Sequence, residues 1–239
     1  MRFIYPKKLR HIYVHTYQFE EYDRKLCEVT ESVIKEINCR RILEVAIGPG
    51  RIAKYFVDRA YDVYGIDIAD TLIYDCKKLL PQVHVCISDA ENLPFKNNSF
   101  GAVYCYHSIY FFPNVELAID EMLRVATPNS YVLFEFINTA AQRETKVVKR
   151  KYLPTLSNLT QLFNIIFFHK VPTFKYLFTK IETTITIEKI TSYLKTKSNV
   201  SFKFLGFSEV MSKIKTVETK DTYINEPRIL CIVRKEEKT

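Results

Sequence analysis

The chain has 239 residues, 47% apolar and 26% charged, which fits one substantial globular domain with an insertion and is short for two. No apolar run reaches the roughly 18 residues of a membrane span, and Met1-Arg2-Phe3-Ile4-Tyr5-Pro6 lacks the features of a signal peptide, so a cytoplasmic protein is expected. The net charge of +8 is uneven: residues 141–200 hold 11 Lys and Arg against 3 Asp and Glu, whereas residues 1–140 hold 16 against 18.

Residues 20–38 read as an amphipathic helix, with Leu26, Val29, Val33, Ile34 and Ile37 on one face. Arg41 to Ile47 is a short apolar strand, and Arg51 to Arg59 a helix. Tyr61 to Ile66 is a second strand, ended by Asp67, and a helix from Leu72 to Leu80 stops at Pro81. Val83 to Ile87 and Ala102 to Tyr106 are further strands, the latter apolar enough for a central parallel position. A helix from Val115 to Val125 precedes a strand from Tyr131 to Ile137. This alternation points to a doubly wound α/β sheet. It breaks after residue 138, where helix-like pieces follow, and Phe207 to Val217 and Ile229 to Val233 read as two strands completing the sheet. The expected division is therefore a core over 1–138, a basic helical insertion over 139–200, and a return to the core over 201–239. The six cysteines show no paired spacing and read as reduced thiols, and His11 with His15 lack a third ligand, so no metal centre is expected.

The chemistry starts at Val45-Ala46-Ile47-Gly48-Pro49-Gly50-Arg51. Average usage of about 7% glycine would give roughly 17 in a chain of this length. Only five are present, and two of them fall at this strand-to-helix turn. Glycine lets a backbone turn tightly and approach a ligand, and the amides opening the next helix suit an anionic group. A tight turn with no ligand would use the same residues, so the neighbours decide. Asp67 follows Gly48 by 19 positions, about where an acid holds a ribose hydroxyl pair. Ser88-Asp89-Ala90-Glu91-Asn92-Leu93-Pro94-Phe95 then follows the third strand.

Taken together, residues 40–137 resemble the class I S-adenosylmethionine-dependent methyltransferases of the small-molecule type. The resemblance implies a Rossmann-like, seven-stranded, mostly parallel sheet with a helical insertion before the last two strands, and S-adenosylmethionine as cofactor. It places Glu44 near the methionine amino group, Gly48 and Gly50 beneath the cofactor, and Asp67 on the ribose. Ile68 would lie beside the adenine, Asp89 and Ala90 at its edge, and Tyr106 near the methionine part. Three departures stand out. Ala46 replaces a glycine, Gly101 replaces an aspartate, and Thr127-Pro128-Asn129-Ser130 replaces a glycine-rich turn in which asparagine can still turn left-handed. A hydride-transferring Rossmann enzyme would use the glycine turn but leaves Asp89-Ala90 and Leu93-Pro94-Phe95 without a role.

Methyl transfer from a sulfonium is an in-line displacement, so the protein mainly aligns the acceptor and excludes water. An oxygen or carbon acceptor also needs a base. His107 follows the fourth strand and suits that role, or packs beneath the cofactor with no proton to move. Tyr110 is expected to line the pocket. Tyr5, Tyr13, Tyr17, Phe19 and Tyr22 make an aromatic N-terminal segment that would fold over the cofactor or pack as core. The basic segment joins Lys149, Arg150 and Lys151 to Leu162-Phe163-Asn164-Ile165-Ile166-Phe167-Phe168, as a lid over a greasy acceptor would. Its charge suits an anionic acceptor, a peripheral membrane contact or RNA, or is simply a solvated face. The expected function is methylation of a small hydrophobic or acidic metabolite. The alternative is tRNA or rRNA methylation with the segment on phosphates, though no base-amino methylation signature is present.

Overall fold

The computed structural model describes residues 19–138, 185–212, 226 and 228–237. Chain order is α1 (Glu21–Glu36), β1 (Arg41–Val45), α2 (Ala53–Val57), β2 (Asp62–Asp67), α3 (Asp70–Leu79), β3 (His84–Ile87) and β4 (Phe100–Cys105). It continues with α4 (Val115–Val125), β5 (Ala126–Ile137), α5 (Ile187–Leu194), β6 (Val200–Gly206), α6 (Phe207–Ser212) and β7 (Arg228–Lys235). One seven-stranded sheet runs β3-β2-β1-β4-β5-β7-β6, with β7 antiparallel to both neighbours and the other pairs parallel. This is the doubly wound α/β sheet that the sequence implies. The order reverses between β1 and β4, the place where such sheets open a ligand crevice at their carboxyl edge.

Alternate strand residues feed two cores. Ile42, Ala102 and Tyr104 pack under α1 and α2, while Leu43, Val45, Val103 and Cys105 pack under α4 and α5. Helix α1 buries Leu26, Val29, Val33 and Ile34, as its apolar spacing demands. Two departures from the usual pattern have local causes. A side chain at Gly101 would meet Cys39 Sγ at 2.0 Å, so the sulfur has replaced it. Asn129 takes the left-handed turn, at φ 57°.

The sixth strand corrects the sequence reading. The described part of the expected strand Phe207 to Val217 does not form it: β6 is Val200–Gly206, and Phe207–Ser212 is helical, while 213–217 lie outside the described residues. Val200, Phe202 and Phe204 alternate with polar residues as a strand requires, whereas Phe207, Val210 and Met211 have helical spacing. Glu209 Oε2 accepts the Gly206 N–H at 2.8 Å, tying off the helix start. Helix α5, inside the expected insertion, belongs to the core through Ile190 and Leu194. The rest of that segment, 139–184, lies outside the described residues, as do Tyr5, Tyr13, Tyr17, His11 and His15. No helix among the described residues is long and apolar enough to cross a membrane.

Candidate cofactor site

A narrow cleft opens at the carboxyl ends of β1 and β4, lined by Glu44, Ala46, Ile47, Gly48, Pro49, Arg51 and the run Tyr106-His107-Ser108. Its floor is the glycine turn. Gly48 has φ 55° and Gly50 φ 86°, but Ala46 also lies in the left-handed region at φ 61°. The alanine therefore keeps the backbone that a glycine would adopt freely, at a cost of about 1–2 kcal/mol. Gly50 does not line the cleft; a side chain there would meet Cys76 Sγ and Leu80 Cδ1 at 2.8 Å, so it serves the packing of α3.

Asp67 links this turn to the next. Its Oδ2 accepts the Gly48 N–H at 2.9 Å and its Oδ1 accepts the Ala69 N–H at 2.8 Å. Burial raises its pKa, with the Ala69 and Gly48 amides opposing the shift. A carboxylate offers about four lone-pair positions, so acceptor capacity remains for a hydroxyl pair. Ile68 beside it is 42% exposed, an apolar surface at the edge where a planar ring can rest. Asp89 Oδ1 accepts the Glu91 N–H at 3.0 Å, shaping its own loop, and Ala90 is buried beneath.

On the other side of the turn, Glu44 is buried and accepts from the Tyr104 hydroxyl at 3.1 Å. Desolvation pushes its carboxyl up to about 8, against the pull of Tyr104 and Arg51. Such a group gains most from a cation placed beside it. Tyr106 turns its hydroxyl to Thr30 of α1 and offers the cleft its ring.

His107 is the centre of a cluster of titratable side chains. It sits at φ 58°, with its amide held by Glu135 Oε2 at 3.0 Å. Its Nε2 lies 2.7 Å from Asp23 Oδ1, and its Nδ1 3.0 Å from Arg228 Nη1. Arg228 Nη1 also donates to Glu135 Oε1 at 3.1 Å, and Arg51 Nε lies 3.6 Å from Asp23 Oδ2. Burial opposes ionisation of Asp23, yet the His107 and Glu20 hydrogen bonds and Arg51 hold its carboxyl below the usual range. Tyr110, in a short 3-10 turn, packs on Phe111 rather than lining the cleft.

The sequence thus placed Glu44, Gly48, Tyr106 and His107 in one cleft, with Asp67 tied to its floor by the Gly48 amide. It missed Arg51, Asp23, Glu135 and Arg228. A signal existed for Glu135, a lone charge inside Tyr131-Val132-Leu133-Phe134-Glu135-Phe136-Ile137, since unpaired charges are almost never fully buried. Asp23 falls three positions before Leu26 on the buried face of α1, a weaker signal of the same kind.

Comparison with known proteins agrees with this geometry. Residues 43–134 match a family model described as a methyltransferase domain. The phthiotriol/phenolphthiotriol dimycocerosates methyltransferase 1 of Mycobacterium ulcerans is 31% identical over 41% of this chain and 38% of its own length. The demethylmenaquinone methyltransferase of Thermotoga maritima is 25% identical over 78% of this chain and 82% of its own. Among solved structures, the plantazolicin methyltransferase BpumL in complex with SAH superimposes with TM-score 0.64 at 12% identity, over 91% of this chain and 86% of that one.

Proposed function

We propose, from the premise that the chain belongs to the class I S-adenosylmethionine-dependent methyltransferases, that it methylates a small hydrophobic or acidic molecule. The observation that carries this reading is the cleft joining Glu44, Gly48 and Tyr106, with Asp67 tied to its floor. The cofactor is S-adenosylmethionine, which supplies an electrophilic methyl on a sulfonium. The residues fit it: Glu44 would hold its ammonium, the Gly48 turn would pass beneath it, and Asp67 would take the ribose hydroxyls. Ile68, Asp89 and Ala90 would bound the adenine.

These groups act by binding and orientation, which is most of what an in-line displacement asks. The relatives support a small acceptor, since those named above are methyltransferases of demethylmenaquinone and of phthiotriol dimycocerosates. His107 would take a proton from an oxygen or carbon acceptor. The basic segment that prompted the RNA reading lies mostly outside the described residues. Calorimetry with S-adenosylmethionine tests the core of the proposal: one-site binding is expected, and no heat would remove it. A tRNA titration at two salt concentrations should show no salt-steep binding; a steep salt slope would favour the RNA alternative. With an acceptor in hand, His107→Ala should keep cofactor affinity and lose turnover.

A further inference from the structure

The His107 cluster carries a further assignment that rests on the methyltransferase reading. A guanidinium can only donate, so the 3.0 Å contact from Arg228 Nη1, shorter than the 3.4 Å approach of Glu135 Oε2 to the same nitrogen, favours Nδ1 as the accepting nitrogen of His107. The hydrogen then belongs on Nε2, where the Asp23 carboxylate accepts it at 2.7 Å. Such a carboxylate fixes the tautomer and steadies an imidazolium once the far nitrogen takes a proton. In the free protein that far nitrogen is covered by a cation. Arg228 covers it with Nη1, its guanidinium also lies over the Tyr22 ring at 5.4 Å from the centroid, and its side chain is 37% exposed.

We propose that Arg228 recognises an anionic group on the methyl acceptor and, in turning to it, uncovers His107 Nδ1 for proton removal, with Asp23 as the positioning residue behind Nε2. The acceptor class is an acid, a carboxylate or acidic phenol that also carries the X–H to be methylated. The acceptor's X–H bond breaks toward Nδ1 and its electron pair forms the X–CH₃ bond. The sulfonium leaves as a neutral thioether, and the proton rests on an imidazolium between Asp23 and Glu135. His107 is the catalytic residue of this step. The left-handed φ of 58° at His107 accords with strain kept at a functional position.

Among the described residues, the charged and titratable groups around the ring are Tyr22 and Asp23 from α1, Arg51 behind Asp23, Glu135 from β5 and Arg228 from β7. Tyr110 adds to the field at Arg228. The test reads the imidazole directly, by nitrogen NMR of His107 in the full chain with bound S-adenosylhomocysteine and benzoate as the probe acid. At pH 7.5 a hydrogen on Nε2 and a bare Nδ1 are expected. Benzoate should shift the His107 nitrogen signals toward the imidazolium form in the wild type and leave Arg228→Gln unmoved, while Asp23→Asn should shift them away from it. A hydrogen on Nδ1, no benzoate shift in the wild type, or equal shifts in wild type and Arg228→Gln would overturn the proposal. Calorimetry with S-adenosylhomocysteine on the same samples separates the failures. Loss of binding by the wild type would strike the methyltransferase reading, whereas intact binding without the imidazole response would strike this inference alone.

Discussion

The two halves of the sheet's carboxyl edge are built from different materials. On the β2–β3 side the groups are backbone amides and two carboxylates, Asp67, which accepts from Gly48 and Ala69, and Asp89, which accepts from Glu91. On the β4–β5–β7 side the groups are titratable side chains drawn from separated segments: Asp23, His107, Glu135 and Arg228. The first half fits a common cofactor, whose ribose and adenine do not vary, and a short stretch of chain suffices. In the second half the charges are balanced against each other rather than against solvent. Burial makes that half expensive to disturb, because removing one member leaves another charge without its partner.

The largest expected effect should therefore come from the β4–β5–β7 side. Glu135 is wholly buried and accepts from both Arg228 and the His107 amide, so Glu135→Ala should cost on the order of 3 kcal/mol in denaturant unfolding. A loss below that of Asp67→Ala would break the contrast. Asp67→Ala removes acceptors from two backbone amides and should cost about 2 kcal/mol, with cofactor affinity falling at least about tenfold.

Glu44 sharpens the comparison because it lies between the halves. Its folded carboxyl titrates at about 8, above the ordinary 4.5, so the folded state holds a proton that the unfolded chain has released. The contribution is absent below pH 4.5 and destabilises progressively as pH rises toward 8. Glu44→Gln should remove that slope and raise stability near pH 8.5 by on the order of 1–3 kcal/mol, while weakening S-adenosylmethionine binding. Wild-type affinity for the cofactor should strengthen across the same pH range, as the carboxylate forms to meet the ammonium. A variant both more stable and equally tight would remove Glu44 from the site. The smallest effect belongs to Ala46, at φ 61°. Ala46→Gly relieves about 1–2 kcal/mol of strain but frees the unfolded chain by about 0.5–1, for a net gain of roughly 0.5–1 kcal/mol in thermal unfolding.

The same division explains what could be read from the sequence. The strand-turn-helix spacing around Gly48, Asp67 and Asp89 depends on neighbours in the chain, and local order exposes it. The titratable cluster joins residue 23 to 107, 135 and 228, and no pattern along the chain relates them. Gly50 and Gly101 show the limit from the other side. Gly50 read as part of the ligand turn and Gly101 as a departure from the family pattern, and each meets a packing neighbour, Cys76 and Leu80 in one case and Cys39 in the other. The misplaced sixth strand has a similar source: Val200–Gly206 and Phe207–Ser212 are both apolar enough, and only the alternation against the helical spacing separates them.

The central claim is that this edge is a saddle for S-adenosylmethionine held by Asp67 and Glu44. Titration calorimetry of the wild type beside Asp67→Ala and Glu44→Gln at pH 8 tests it most directly. Saturable one-to-one binding by the wild type, weakened at least about tenfold in each variant, is the expected result. Absence of wild-type binding, or binding of equal strength in all three proteins, would contradict it.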